Sequence, residues 1–435
     1  MNSQGEFQSL AAIIRGLYLD ATGKSWIVCQ DSRRVPESLA IPQEAIVVDI
    51  APAAQPPSSF RFDEEAAKIF HEAFMAWEFE QAPSGVEAVT RTARMRNFPS
   101  CMAVKNGGST EALYWIDRDL DAVRKRMEEQ DGSLLEVPKD RRLPLMEEQA
   151  LSLGLNAAGR SNVVKDRIAL VTGGAQGFGE EIVRGIASSG ALVFIADLNE
   201  EGAEKLAKRI NAVERRTAAV PVKVNVADEA SVEALFRTIR ETAGGLDICI
   251  SNAGVLRAGS VLEQDVEDFK FVTDVNYTGY FIMVKHAARL LKQQHLTAPA
   301  WKTDIIQINS KSGLEGSNKN GAYAGGKFGG IGLTASFALE LTAYNIKVNA
   351  ICPGNFLDGP LWSDPEKGLF VQYLKAGKVP GAKNIAEVKA FYEAKVPMKR
   401  GCTGADVLRA LYYIVEQEYE TGQALPVTGG QVMLH

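Results

Sequence analysis

The stretch Ile168-Ala169-Leu170-Val171-Thr172-Gly173-Gly174-Ala175-Gln176-Gly177-Phe178-Gly179 decides the fold. Its apolar start reads as a short buried strand and its glycines as a tight turn, after which Glu180 to Ser188 reads as a helix. Strand, glycine turn and helix in that order gather backbone N–H groups and the positive end of a helix dipole at one point, which a pyrophosphate can approach closely. A glycine triplet alone is weak evidence. Here a second strand, Leu192-Val193-Phe194-Ile195-Ala196, ends in Asp197, the place for a ribose-binding carboxylate. An aspartate there accepts hydrogen bonds from both ribose hydroxyls and repels a 2'-phosphate. Leu198 and Asn199 follow without Arg or Lys beside them, so NAD is favoured over NADP.

The alternation continues. Val222 to Asn225 reads as a strand, Ala230 to Thr242 as a helix, and Ile248-Cys249-Ile250 as a strand running into Ser251-Asn252-Ala253-Gly254. A long helical tract from about Val266 to Leu291 precedes the strand Ile305 to Asn309. A further strand, Lys347 to Ile351, leads into Cys352-Pro353-Gly354, and the last strand lies near Ala424 to Val427. Strands alternating with helices imply an α/β fold with a doubly wound, Rossmann-like parallel sheet. The insertion after Pro353 is expected to cover a substrate at the carboxyl edge of that sheet.

The chemistry centres on Gly321-Ala322-Tyr323-Ala324-Gly325-Gly326-Lys327, the start of an apolar helix that continues to about Tyr344. Positions i and i+4 share a helix face, so the Tyr323 phenol and the Lys327 ammonium can work at one site. Bringing a tyrosine from near 10 to about 7 or 8 takes roughly 3 to 4 kcal/mol of preferential stabilisation of the phenolate. A lysine in a partly dry pocket has the right sign and strength. Alone, the pattern is common and describes a surface pair on an ordinary helix. Thirteen residues earlier, however, Ser310 closes the buried strand Ile305 to Asn309, with Gly313 three residues beyond it. A strand-end serine in an α/β protein sits where ligands bind, and its hydroxyl can hold a substrate oxygen while Tyr323 moves a proton.

The rest of the composition bounds the answer. At 435 residues the chain is too long for one ordinary domain. A net charge of -6 argues against a nucleic-acid surface. No long apolar run marks a membrane span and the amino terminus lacks the basic start of a signal peptide, so a cytoplasmic protein is expected. The five cysteines, Cys29, Cys101, Cys249, Cys352 and Cys402, are widely spaced and read as free thiols, with no disulfide framework and no metal site. Residues 1 to about 155 form a smaller accessory α/β domain. Its elements are a helix at Leu10 to Leu19, strand-like runs at Ser25 to Val28 and Ala45 to Val48, a proline-rich loop from Ala51 to Ser59, and helical faces at Ala66, Phe70, Ala73, Phe74 and Trp77 and at Leu120, Val123 and Met127. His71 is its only histidine, which argues against a zinc site. Gly154 to Asn162 reads as the connection, and the second domain runs from 163 to 435.

Thr172 to Gly179, Asn252 to Gly254, Asn276, Ser310, Tyr323 with Lys327, and Pro353-Gly354, in this order, resemble the short-chain dehydrogenase/reductase family over about 163 to 435. The resemblance implies that Tyr323 is the general acid/base, that Lys327 lowers its pKa and holds the nicotinamide ribose, that Ser310 orients the substrate and that Asn276 anchors a proton-relay water. It further implies an NAD site built from Gly173, Gln176, Gly177, Phe178, Gly179, Asp197, Leu198, Asn225, Val226, Asn252, Ala253, Gly254, Tyr323, Lys327, Pro353, Gly354, Asn355 and Phe356. Asn225 stands where many members have aspartate, and its carbonyl oxygen can still accept from the adenine amino group. Ile305 to Gly313, Lys395 to Cys402, and Thr421-Gly422-Gln423 with Val427 to Met433 are similar to the sorbitol-6-phosphate 2-dehydrogenase branch of that family. That branch oxidises a phosphorylated hexitol to a ketose with NAD. Its familiar members lack the region that precedes the match here, and Asn355 to Trp362 departs from their pattern. Fused aldolase and dehydrogenase chains exist, but the missing histidines argue against an aldolase half.

The expected activity is oxidation of a sugar alcohol or its phosphate, with Ser310, Lys311, Lys319, Lys399 and Arg400 as substrate-binding residues and Arg400 as the fork that grips a phosphate. One rival is a carbonyl reductase for an acyl-thioester ketone or a hydroxysteroid, against which the basic cluster speaks. Another is a non-catalytic NAD-binding regulator, against which the complete Asn276, Ser310, Tyr323 and Lys327 set speaks. NADH formation with a panel of polyols and polyol phosphates separates the three. A homo-dimer or homo-tetramer is expected through the face from Ile331 to Leu341.

Overall fold

The computed structural model describes residues 10–22, 27–30, 46–49, 66–74, 101–106, 109–128, 160–366, 368–375, 377 and 379–433. The chain divides into two compact units. One comprises Met1–Leu145, Phe236–Asp247 and Ala288–Thr303, and the other Met146–Leu235, Ile248–Ala287 and Asp304–His435.

The first unit holds α1 (Leu10–Thr22), β1 (Ile27–Gln30), β2 (Ile46–Asp49), the helix α2 (66–74), β3 (Cys101–Asn106), β4 (Ser109–Asp117) and α3 (Leu120–Glu128). Its sheet has the order β1-β4-β3-β2, with β4 antiparallel to both neighbours and β2 parallel to β3. In α1, Leu10, Ile13, Ile14, Leu17 and Tyr18 recur at helical spacing and bury against Phe70, Phe74, Met102 and Tyr114. Arg15 on the same helix is fully buried and bonds Asp247 at 2.7 Å, and the Thr297 hydroxyl donates to the Ile13 carbonyl at 2.7 Å. Sequence reading passed over the β3–β4 hairpin, although Asn106-Gly107-Gly108 between apolar runs is its turn signal. The readings at Trp77 and at 51–59 lie outside the described residues.

The second unit carries β5 (Ile168–Thr172), β6 (Leu192–Asp197), β7 (Ala219–Lys223), β8 (Ile248–Ser251), β9 (Thr303–Ile308), β10 (Ile346–Pro353) and β11 (Ala424–Val427) in the sheet order β11-β10-β9-β8-β5-β6-β7. The paired registers are parallel, β5 with β6 and β8, β6 with β7, β8 with β9 and β10 with β11. All residues of β5, β8, β9 and β10 are buried, which is why they read as continuous apolar runs. The chain moves outward from β5 to β7 and then returns to place β8 on the other side of β5. The resulting crevice at the carboxyl ends of β5 and β8 is where such sheets bind ligands.

The helices are α4 (Gly177–Ser188), α5 (Glu200–Glu214), α6 (Glu229–Ala243), α7 (Val266–Thr273), α8 (Gly279–His295), α9 (Gly321–Leu341), α10 (Pro360–Ser363), α11 (Leu369–Lys375), α12 (Ile385–Ala394) and α13 (Gly404–Glu416). The helical tract expected from Val266 to Leu291 is interrupted by a π turn at Asp274–Thr278 with Asn276 buried inside it. The insertion has a core of its own, Leu357, Trp362, Phe370, Val379 and Val388. Its entry and exit meet where the Cys402 N–H donates to the Asn355 carbonyl at 2.9 Å. Buried Lys347 donates to the Ile414 and Gln417 carbonyls at 2.5 and 2.7 Å, a cation at the carboxyl end of α13.

Candidate active site

The crevice is built first from strand ends. The Thr172 hydroxyl accepts from the N–H groups of Asn252 and Ala253 at 3.0 and 3.1 Å, and the Asn252 amide donates to the carbonyls of Thr172 and Gly173, both at 3.0 Å. Gly173 has φ 62°, and a Cβ there would lie 2.9 Å from the Ala253 Cα, so glycine is needed for conformation and for closeness. Thr172, absent from the expected site residues, is therefore the rivet between β5 and β8.

The turn fits a dinucleotide. Gln176 precedes α4 in extended conformation and makes no side-chain capping bond, which leaves N–H groups of the first helical turn for an anion. Gly177 has φ 60°, and a Cβ on it would meet nothing within 4 Å. Asp197 at the end of β6 accepts from the Ala175 N–H with Oδ2 and from the Asn199 N–H with Oδ1, both at 2.9 Å. Leu198 beside it is 66% exposed. The Asn225 side-chain oxygen accepts from the Ala227 N–H at 3.1 Å, and Val226 is buried against Gly279. Gly354 donates its N–H to the Val427 carbonyl at 2.9 Å. Phe178 and Phe356 stack, with ring centroids 4.5 Å apart and planes 15° from parallel.

The residues expected to react, Asn276, Ser310, Tyr323 and Lys327, converge beside this turn. Ser310 is extended at the start of a short 3-10 turn, where its hydroxyl accepts from the Ser312 N–H at 3.1 Å. Half-buried Tyr323 lies beside Ser310. Lys327 is 4% exposed and donates to the Ile308 carbonyl at 2.9 Å, with its nitrogen 5.6 Å from the Tyr323 ring centroid. The Asn276 side chain accepts from the Val255 N–H at 2.8 Å and donates to the Val255 carbonyl at 2.9 Å. It thereby fixes the loop after Gly254.

Burial raises the Tyr323 phenol above its ordinary value, the neighbouring Ser310 hydroxyl pulls it down, and nearby Cys352 adds to the rise. The Lys327 ammonium is aimed at the Ile308 carbonyl. Burial also brings Lys327 itself down to about 8. Cys352, pushed up to about 11 by burial, is a neighbour of Ser310, Tyr323 and Lys327 that sequence reading did not place in the site. Its signal was its position at the end of β10, next to β9.

The basic residues separate. The Arg400 fork, expected to grip phosphate oxygens, closes on Asp406 instead and also donates to the Gly401 carbonyl at 2.8 Å. Lys399 donates to the Ala394 carbonyl at 2.8 Å, and Lys311 pairs with Glu315 at 3.2 Å. Lys319 is exposed, has φ 55°, and its carbonyl accepts from the Gly259 N–H at 2.9 Å. Among the described residues its ammonium has no ion-pair partner.

Comparison with known proteins agrees with this architecture. A family model described as short chain dehydrogenase matches residues 167–364. The sorbitol-6-phosphate 2-dehydrogenase of Escherichia coli (strain K12) is 36% identical over 271 residues, which make up 62% of this chain and 99% of that protein. The crystal structure of sorbitol-6-phosphate 2-dehydrogenase from Erwinia amylovora, 40% identical, aligns with a TM-score of 0.55 over 61% of this chain and 100% of that one. An NADP complex of RhlG from Pseudomonas aeruginosa, 25% identical, aligns with a TM-score of 0.52 over 61% of this chain and 96% of that one.

Proposed function

Because the chain belongs to the short-chain dehydrogenase family, and is thus an oxidoreductase acting on CH–OH groups with a nicotinamide cofactor, we propose that it interconverts a sugar alcohol phosphate and its ketose with NAD. The observation that carries the reaction is the convergence of Ser310, Tyr323, Lys327 and Asn276 beside Gly254, with Lys327 buried one helical turn from the tyrosine and its nitrogen 5.6 Å from the tyrosine ring centroid. The substrate class is supported by the likeness to sorbitol-6-phosphate 2-dehydrogenase over 99% of that protein's length.

In oxidation, Ser310 holds the substrate hydroxyl and Tyr323, as phenolate, takes its proton. The nicotinamide supplies the acceptor for the carbinol hydride. Lys327 holds the nicotinamide ribose and Asn276 anchors the water that relays the proton outward. Asp197 favours NAD, since its carboxylate would face a 2'-phosphate with like charge. With Arg400 engaged elsewhere, Lys319 is the cation assigned to the phosphate of the substrate, and Lys311 joins it by leaving Glu315.

The exposed Phe269, Phe281, Phe328 and Leu339 of α7, α8 and α9 support assembly into a homo-dimer or homo-tetramer. Light scattering that finds a monomer at micromolar concentration would count against it. Among the described residues no helix is long and apolar enough to cross a membrane, and we assign the enzyme to the cytoplasm, with residues 1–155 as an accessory domain and 163–435 as the dehydrogenase domain. The deciding experiment follows nicotinamide reduction with polyols and their phosphates, supplying NAD and NADP in parallel. Preference for an unphosphorylated polyol removes the phosphate, and preference for NADP removes the reading of Asp197.

A further inference from the structure

Two amide side chains on the carboxyl end of β9 and its extension take no part in these steps, yet both are buried, Gln307 at 2% and Asn309 at 4% exposure. Asn309 is the better connected. Its Oδ1 accepts from the Ser310 N–H at 2.8 Å, and its Nδ2 donates to the Lys327 carbonyl at 2.9 Å and to the Gln307 Oε1 at 2.8 Å. Its own N–H donates to the Ile351 carbonyl at 2.7 Å, which ties the same point to β10. One side chain thus bonds the backbone of two members of the reacting set.

The space for these amides is made by glycines. A Cβ on Gly313 would collide with the Asn309 Oδ1, and a Cβ on Gly330 would lie 2.8 Å from the Gln307 Oε1. A buried amide satisfied at both ends has one orientation, because turning it would place donor against donor and acceptor against acceptor. Such a group transmits position well.

We propose that Asn309 is a positioning residue for the oxidoreduction, clamping the Ser310 end of β9 to the Lys327 turn of α9. The clamp keeps the Ser310 hydroxyl beside the Tyr323 phenol and keeps the Lys327 ammonium on the Ile308 carbonyl. The inference rests on the assignment of Ser310, Tyr323 and Lys327 to the reaction. Asn309 itself touches neither substrate nor cofactor.

The test compares the wild type with Asn309→Leu, which removes every side-chain bond at nearly constant volume, and with Asn309→Asp, which keeps the acceptor for the Ser310 N–H and loses the donor to Lys327. Folding is checked by thermal melting and cofactor affinity by NADH fluorescence. We expect kcat to fall about 30-fold in the leucine variant and about tenfold in the aspartate variant, while the NADH Kd stays within about twofold, because the lost bonds act on the geometry of proton transfer. The ultraviolet titration of Tyr323, isolated in each background by subtracting the corresponding Tyr323→Phe protein, needs no substrate and should move to higher pH in both variants.

The proposal is overturned if kcat stays within about twofold of the wild type, if the NADH Kd rises as much as kcat falls, or if the Tyr323 titration stays in place. Should the leucine variant fail to fold, the isosteric aspartate variant decides by the same readouts. A wild type that oxidises none of the alcohols overturns the assigned reaction, and the Tyr323 titration then decides the clamp by itself.

Discussion

The guanidinium of Arg400 meets the carboxylate of Asp406 at two points, Nη1 2.6 Å from Oδ2 and Nη2 2.9 Å from Oδ1. Asp406 also closes the capping box with Thr403 at the start of α13. Burial would raise its carboxyl, but the bonds from Arg400 and Thr403 outweigh this and hold it at about 2. Arg400 therefore joins the exit of the insertion to a helix amino terminus. Arg400→Ala should lower the melting temperature by about 2 to 4 °C, the scale of a partly exposed ion pair in a unit of this size. It should change KM for phosphorylated and free polyol by the same factor. A rise confined to the phosphorylated substrate would return Arg400 to the phosphate.

Tyr323→Phe keeps the ring and removes the acid. NADH binding, measured by fluorescence, should survive while turnover falls by roughly two or more orders of magnitude, the scale of general acid/base catalysis. Retention of most activity would remove Tyr323 from the reaction.

Asp197 holds two loop N–H groups besides its expected ribose contacts. Asp197→Ala combined with Leu198→Arg should weaken NAD about tenfold or more while the ratio of NADP to NAD affinity rises, because a like charge is exchanged for an opposite one. The ratio is the quantity to measure, since loosening the loop weakens both cofactors. An unchanged ratio contradicts the role of Asp197.

Lys327 gives a stability signal of defined sign. Burial holds its folded value at about 8, against an ordinary 10.5. Between these values the unfolded chain holds a proton that the folded chain has released, so this residue makes stability rise with pH across the window. Near neutral pH both states carry the proton and the burial cost is felt in full. Above about 10 the raised Tyr323 acts in reverse. The gap in unfolding free energy between the wild type and Lys327→Met, measured by denaturant titration, should therefore shift in favour of the wild type from about pH 8 to about pH 10, by at most roughly 3 kcal/mol. A gap that does not change with pH would mean that Lys327 is already neutral or well hydrated.

The parts of this molecule legible in the sequence are those set by local rules. Strand, glycine turn and helix around Gly173 to Gly179 follow from backbone sterics, and Tyr323 with Lys327 follows from the helical repeat. The π turn at Asp274–Thr278 was not legible, because Asn276 is held by Val255, far from it in sequence. The sequence offers Arg400 as a fork for a phosphate, while Thr403 and Asp406, a visible capping pair, stand just beyond it, and Asp406 engages it in the structure. A sequence shows that a fork is present but not where it points. The same holds for Lys327, whose nearness to Tyr323 was foreseen and whose aim at Ile308 was not. Asn309 looked like one more residue at the end of a strand, because partners on three segments give it its meaning.

Helix α9 carries six glycines among its 21 residues, and each costs about 1 kcal/mol relative to alanine inside a helix. The segment therefore has little helicity of its own and takes its form from docking on β10 and on the turn around Asn276. The consequence lies in the order of events during folding. Tyr323 and Lys327 are then expected to come onto one face only once β9 and β10 have joined the sheet, late in folding. Heating should undo this arrangement first, with the amides of Gly321 to Leu341 exchanging hydrogen sooner than those of β5 and β8.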